Sequence, residues 1–70
     1  MSNSSPTYEK LRKILNKIKV YQLKPDYDAQ TLTTMRNGTE LMITEGYSNN
    51  SITENEYREL MKLGEFDISL

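Results

Sequence analysis

Apolar residues recur at spacings of three and four near the start of the chain, at Tyr8, Leu11, Ile14, Leu15 and Ile18. At 3.6 residues per turn they fall within an arc of about 120°, so the spacing predicts an amphipathic helix with one apolar stripe. Ser5 and Pro6 supply its start: a serine oxygen can accept an orphan backbone N–H, and proline suits the first helical position. Val20 falls off the stripe. The helix is therefore expected to end near Lys19, or residues 20–23 to turn extended. Pro25 ends any helix, because the residue before a proline is pushed out of the helical region.

A different pattern follows the loop at 24–30. Two threonine-rich, β-prone runs, 31–36 and 39–44, flank Asn37 and Gly38. Asn-Gly between such runs is the strongest short-range hairpin signal, because both turn residues need positive φ. A two-residue turn would pair Arg36 with Thr39, Thr34 with Leu41 and Leu32 with Ile43. One face would then carry Leu32, Thr34, Leu41 and Ile43. The competing reading makes 28–45 a helix with Ala29, Leu32, Met35, Met42 and Ile43 inward. Helix-poor Asn37 and Gly38 at its centre, and its threonines, count against it.

Residues 46–50 read as a turn. Thr53 and Glu56 then form a capping box, with Ile52 and Tyr57 at the positions of a hydrophobic staple. Tyr57, Leu60, Met61 and Leu63 give the helix its apolar side, and Gly64 is placed to stop it. In the last six residues Phe66, Ile68 and Leu70 alternate with polar neighbours, as a third strand or as a tail burying its side chains on a partner. The expected fold class is thus α+β: N-terminal helix, β-hairpin, second helix, short C-terminal strand or tail. The alternative is a three-helix bundle. Residues 1–5 are expected to form a flexible tail and 6–70 one small domain.

Composition narrows the chemistry. There is no histidine and no cysteine among 70 residues, which removes imidazole and thiol catalysis, disulfides and the usual zinc sites. No catalytic residue, cofactor or metal is expected, and the chain does not read as an enzyme. Carboxylates are the remaining acid–base groups, but a chain this short is a poor candidate for a substrate-sized cleft. Asp26 and Asp28 read instead as turn formers, and Glu54 and Glu56 as favouring a helix N-terminus. The stretch from Asp26 resembles a calcium loop only faintly: Thr31 stands where glycine belongs and Asn37 where the bidentate glutamate belongs. Apolar content is 36%, and about 40% with glycine, below the roughly 45–50% of globular domains. A core this thin favours oligomerisation or docking on a partner. No stretch resembles a secretory signal or a membrane span, so a soluble, cytoplasmic protein without membrane contact is expected. The Asn, Lys, Ile and Tyr bias suits an AT-rich bacterial, phage or mobile-element genome.

Charge is unevenly placed. Six cations stand against Glu9 up to Pro25, a net +5; from Asp26 on, three cations stand against nine carboxylates, a net −6. Such a split suggests a basic surface for an anionic partner, or a basic helix lying on an acidic half. Two functions follow. The first is a small binding protein, an inhibitor, adaptor or regulator, that docks on another protein or on its own copy through Lys10, Lys13, Lys17, Tyr27, Tyr47, Phe66, Ile68 and Leu70. Tyrosine and methionine enrichment at interface cores supports it. The alternative is a nucleic-acid-binding regulator using Lys10, Arg12, Lys13 and Lys17. Against that alternative stands a sequence pI of about 5.3, since nucleic-acid domains are usually basic.

Overall fold

The computed structural model describes residues 5–66, and they form three helices: α1 (Pro6–Gln22), α2 (Ala29–Ser48) and α3 (Glu54–Leu63). No strand occurs among the described residues. The three-helix alternative is the architecture found, and the α+β expectation is overturned. Each helix packs on the other two.

The hairpin at 31–44 does not form; both runs and the Asn-Gly pair lie inside α2. The reason is burial. A lone two-stranded hairpin is marginal in water, and α1 and α3 offer no strand edge to extend it. As a helix the segment sets Leu32, Met35, Thr39, Ile43 and Gly46 along one side, at spacings of three and four. Ile43 becomes fully buried and Leu32 and Met35 pack against the core. The local cost is modest, because no glycine takes a positive φ and a helical glycine costs only about 1 kcal/mol. The threonines are accommodated by back-bonding. Thr34, Thr39 and Thr44 donate their hydroxyls to the carbonyls of Gln30 (3.0 Å), Met35 (2.8 Å) and Leu41 (2.9 Å). Ala29 and Met42, inward in the competing helical reading, are exposed.

Helix ends follow local chemistry. Ser5 caps α1, its oxygen accepting from the Tyr8 N–H at 3.1 Å. It is also tied to α3, so the tail expectation now concerns residues 1–4, which lie outside the described residues. The α1 stripe is as expected: Tyr8, Leu11, Leu15 and Ile18 are buried and Ile14 half-buried. But α1 does not end at Lys19. It continues to Gln22 and carries Val20 outward, 61% exposed. Asp28 caps α2, accepting from the Thr31 N–H (2.9 Å) and hydroxyl (2.7 Å). These bonds, the hydroxyl's first, hold its carboxyl below the usual range.

The expected turn at 46–50 begins later than its sequence suggests. Gly46, Tyr47 and Ser48 are still helical, and the chain leaves α2 through a Schellman closure. Ser51 N–H donates to Gly46 O (2.8 Å), Asn50 N–H to Tyr47 O (3.2 Å), and Asn50 takes φ 65°. Helix α3 repeats that closure, with Phe66 N–H on Met61 O (2.9 Å) and Glu65 N–H on Lys62 O (3.1 Å). The left-handed residue there is Glu65, φ 57°, not Gly64, whose φ is −83°. Gly64 is small for a packing reason instead. A Cβ there would run into the Phe66 ring and meet Leu15 Cδ2 at 3.0 Å.

The α3 capping box is present: Glu56 N–H donates to Thr53 Oγ1 (3.1 Å) and Thr53 N–H to Glu56 Oε1 (2.9 Å). The same carboxylate accepts from the Ser5 N–H (3.2 Å) and hydroxyl (3.4 Å). One glutamate therefore joins the starts of α1 and α3. Phe66, expected in a third strand or in a tail buried on a partner, lies half-buried against the chain's own core, beneath the Arg36 guanidinium at 4.6 Å. Ile68 and Leu70 lie outside the described residues.

Candidate docking groove

The row of lysines on α1 starts the site. Lys10, Lys13 and Lys17 fall within about 60° of one another at 100° per residue, and all are exposed. Arg12, grouped with them by sequence, points elsewhere. It donates to the Tyr8 hydroxyl at 3.2 Å, and Tyr8 in turn donates to Glu59 of α3. Arg12 thus belongs to a link between α1 and α3, and the basic set divides.

Between the lysine row and α2 runs an open apolar groove. One hollow, about 390 Å³, is lined by Ile14, Lys17, Ile18, Thr34, Met35, Gly38, Thr39 and Met42. The next, about 410 Å³, is lined by Asn16, Lys17, Val20, Tyr21, Lys24 and Met35. Lys17 and Met35 border both, so the hollows are continuous along the α1–α2 seam. The groove exists because α2 turns Thr34 and Gly38 toward it. A Cβ built on Gly38 would meet nothing within 4 Å, and a threonine fills little of the space a leucine would. Thr39, the buried polar residue on this side, has its hydroxyl satisfied by Met35 O.

Charge on the groove has one sign. Among the described residues, Lys17 and Lys24 are the only ionic residues in either lining, and no carboxylate joins them. Among the described residues the salt bridge found joins Arg58 to Glu54 on α3 (3.1 Å), so the lysine row is unpaired there. At the loop end, Lys24 lies 5.9 Å from the Tyr21 ring centroid. Tyr21 in turn meets Tyr27 edge-on at 6.3 Å and accepts the Asp28 N–H at 2.8 Å. These contacts shape the loop from Leu23 to Asp28 around the groove mouth. They leave Tyr27 42% and Leu23 83% exposed.

The residues expected to meet a partner are not all brought together. Lys17 lines the groove and Lys13 stands one turn before it on the same row. Lys10 borders a separate hollow with Thr7, Leu11, Met42, Glu45, Gly46, Asn49 and Ser51, which shares Met42 with the groove. Tyr27 lies outside both linings, on the loop after α1 and edge-on to Tyr21. Tyr47 belongs to the α2–α3 side, stacked on Tyr57 at 4.6 Å, and Phe66 is a packing residue. Sequence reading missed Ile14, Val20, Lys24, Met35, Gly38 and Met42 as one surface. The signal that would have found them is the small pair Thr34 and Gly38, four apart, which is meaningful only once the segment is helical.

No helix among the described residues is long and apolar enough to cross a membrane. Comparison with family models, curated proteins and solved structures finds no match to this chain.

Proposed function

We propose that the chain is a small non-enzymatic binding protein that docks on another protein as an inhibitor, adaptor or regulator, using the α1–α2 groove. The observation that carries this reading is the groove itself: an exposed apolar concavity over a thin core, rimmed by lysines with no ion-pair partner among the described residues. Exposed apolar hollows flanked by polar residues mark interaction sites more often than scattered surface side chains do, and helical proteins commonly bind in such grooves. Val20 and Met42, 61% and 40% exposed on the groove's borders, are the side chains to alter, because neither holds the core together.

The test is affinity capture from a lysate of the source organism, with wild-type chain beside the Val20→Glu, Met42→Glu double variant. The expected result is a partner retained by wild type and lost by the variant. Identical captured sets, or none, would sink the reading.

A second reading is favoured by the alignment of Lys10, Lys13 and Lys17 on one face: phosphate neutralisation on a nucleic acid. It requires low-salt retardation of DNA or RNA, abolished by Lys13→Glu with Lys17→Glu. Absence of any retardation removes it.

A further inference from the structure

We propose that the occupant of the groove is an acidic amphipathic helix of a partner protein, about two to three turns long, with its apolar face on Ile14, Ile18, Val20, Met35 and Met42 and its carboxylates on Lys17 and Lys24. This rests on the docking function proposed above and adds the chemistry of the partner.

Three observations select that occupant. The first is shape. From Ile14 to Gln22 α1 rises about 12 Å at 1.5 Å per residue, with Lys24 just beyond its end, so the seam is as long as two to three helical turns, and its two hollows follow one another. A helix presenting apolar side chains at i, i+3 or i+4, and i+7 fills such a series. The second is charge. Among the described residues both linings carry lysine and no carboxylate, and Lys13 extends the row by one more turn. A basic helix would bring like charges together in a partly desolvated seam, whereas an acidic one pairs with each lysine.

The third observation separates a foreign helix from a second copy of this chain. A second copy would have to offer an acidic helix with an unburied apolar stripe, and among the described residues neither other helix does. The apolar side of α3 is spent on its own core, with Leu60 and Met61 buried. The exposed residues of α2 include Leu41, Met42 and Tyr47 but a single exposed carboxylate, Glu45, so α2 is not an acidic helix. A nucleic acid matches the lysines but leaves the apolar floor without a function.

The experiment uses the full chain and two fluorescein-labelled synthetic peptides of identical leucine pattern. One has glutamate and the other lysine at every polar position, and anisotropy reads binding. The glutamate peptide is expected to bind about tenfold more tightly than the lysine peptide, the gain from two or three partly exposed ion pairs. Raising sodium chloride from low to high concentration should weaken it several-fold. Lys17→Glu with Lys24→Glu should reverse the preference. Gly38→Leu should block both peptides by filling the groove, and because leucine is a better helix former than glycine, that variant keeps its fold.

Equal binding of both peptides, still blocked by Gly38→Leu, overturns the acidic partner while leaving groove docking intact. No binding of either peptide also overturns the acidic helix. Groove docking then stands or falls on whether Gly38→Leu loses the captured partner. A dimer in sedimentation that Gly38→Leu dissolves assigns the groove to a second copy. Duplex DNA that competes for Lys17 but ignores Gly38→Leu assigns the lysines to nucleic acid. Either result refutes the proposal.

Discussion

Replacing Gly38 with alanine gives the most direct test of the fold, because the two readings of this segment predict opposite signs. In a hairpin Gly38 would hold a positive φ, and alanine there would destabilise. In the structure Gly38 sits ten residues into α2, exposed, with no positive φ and nothing within 4 Å of a new Cβ. Alanine therefore adds no clash and removes the entropy that glycine loses on entering a helix, a gain of about 0.5–1 kcal/mol. For a chain of 70 residues, the unfolding entropy near the midpoint is about 0.15 kcal/mol/K. The gain corresponds to a rise in Tm of about 3–7 °C. Thermal melts followed by circular dichroism at 222 nm measure it. A fall of several degrees would refute the helical assignment of Asn37 and Gly38. An unchanged midpoint would show that the α2 centre is not ordered helix in solution.

The helix ends yield further outcomes. Glu65→Gly should raise stability by about 1 kcal/mol, because Glu65 holds the left-handed conformation (φ 57°) that glycine adopts freely. Its neighbour should respond oppositely: Gly64→Ala forces aside the Phe66 ring and Leu15, a loss of about 1–3 kcal/mol by urea titration. Thr53→Ala breaks the α3 box and should cost about 1 kcal/mol, seen as a lower urea midpoint with an unchanged slope. Glu56 sets an acid limb. The Thr53 N–H first, then Ser5, holds its carboxyl below the ordinary 4.5. A depressed folded value means the stabilisation is present above the unfolded value and is lost as pH falls through the folded one. Stability should decline below about pH 4.5. Glu56→Gln should flatten that decline, leaving the contribution of Asp28, and an unchanged acid slope in the variant would contradict the double cap.

How much was legible depends on whether local and tertiary demands agree. In α1 and α3 they do. The cap residues Ser5 and Thr53 stand just before an apolar period that the fold then buries, so start, stripe and neighbours all point the same way. In α2 they conflict. Asn37 and Gly38 favour a tight turn through φ/ψ preferences visible in two residues, while the competing demand, burial of Ile43 against two other helices, depends on contacts the sequence does not display. Tertiary burial outweighed a propensity penalty of about 1 kcal/mol at Gly38. Phe66 failed for a related reason. Alternation over three residues resembles a strand, and of the features that hold it the Arg36 guanidinium comes from α2, while the bare glycine two residues earlier, Gly64, reads in the sequence only as a helix stop. For the groove, Lys17 and its row were legible from the α1 wheel. The hollow was not, because it needs Thr34 and Gly38 to share a helical face.

Gly38 also connects stability to the proposed docking. At this position the chain forgoes about 0.5–1 kcal/mol of helix stability, which is a sizeable fraction of what a 70-residue domain holds. Nothing in the packing requires it: no neighbour approaches, and the backbone is ordinary helix. What the missing side chain does create is depth beside Ile14, Ile18 and Met35. Alanine and leucine at this one position therefore separate two roles. Both should stabilise α2, but only leucine is long enough to occupy the hollow. If Gly38→Ala and Gly38→Leu both raise Tm while leucine alone abolishes peptide binding, the instability of α2 is the counterpart of an open groove, a trade of stability for function of the kind seen at binding sites. If leucine raises Tm and binding is unaffected, the glycine is merely a tolerated helix defect, and the groove loses its principal structural argument.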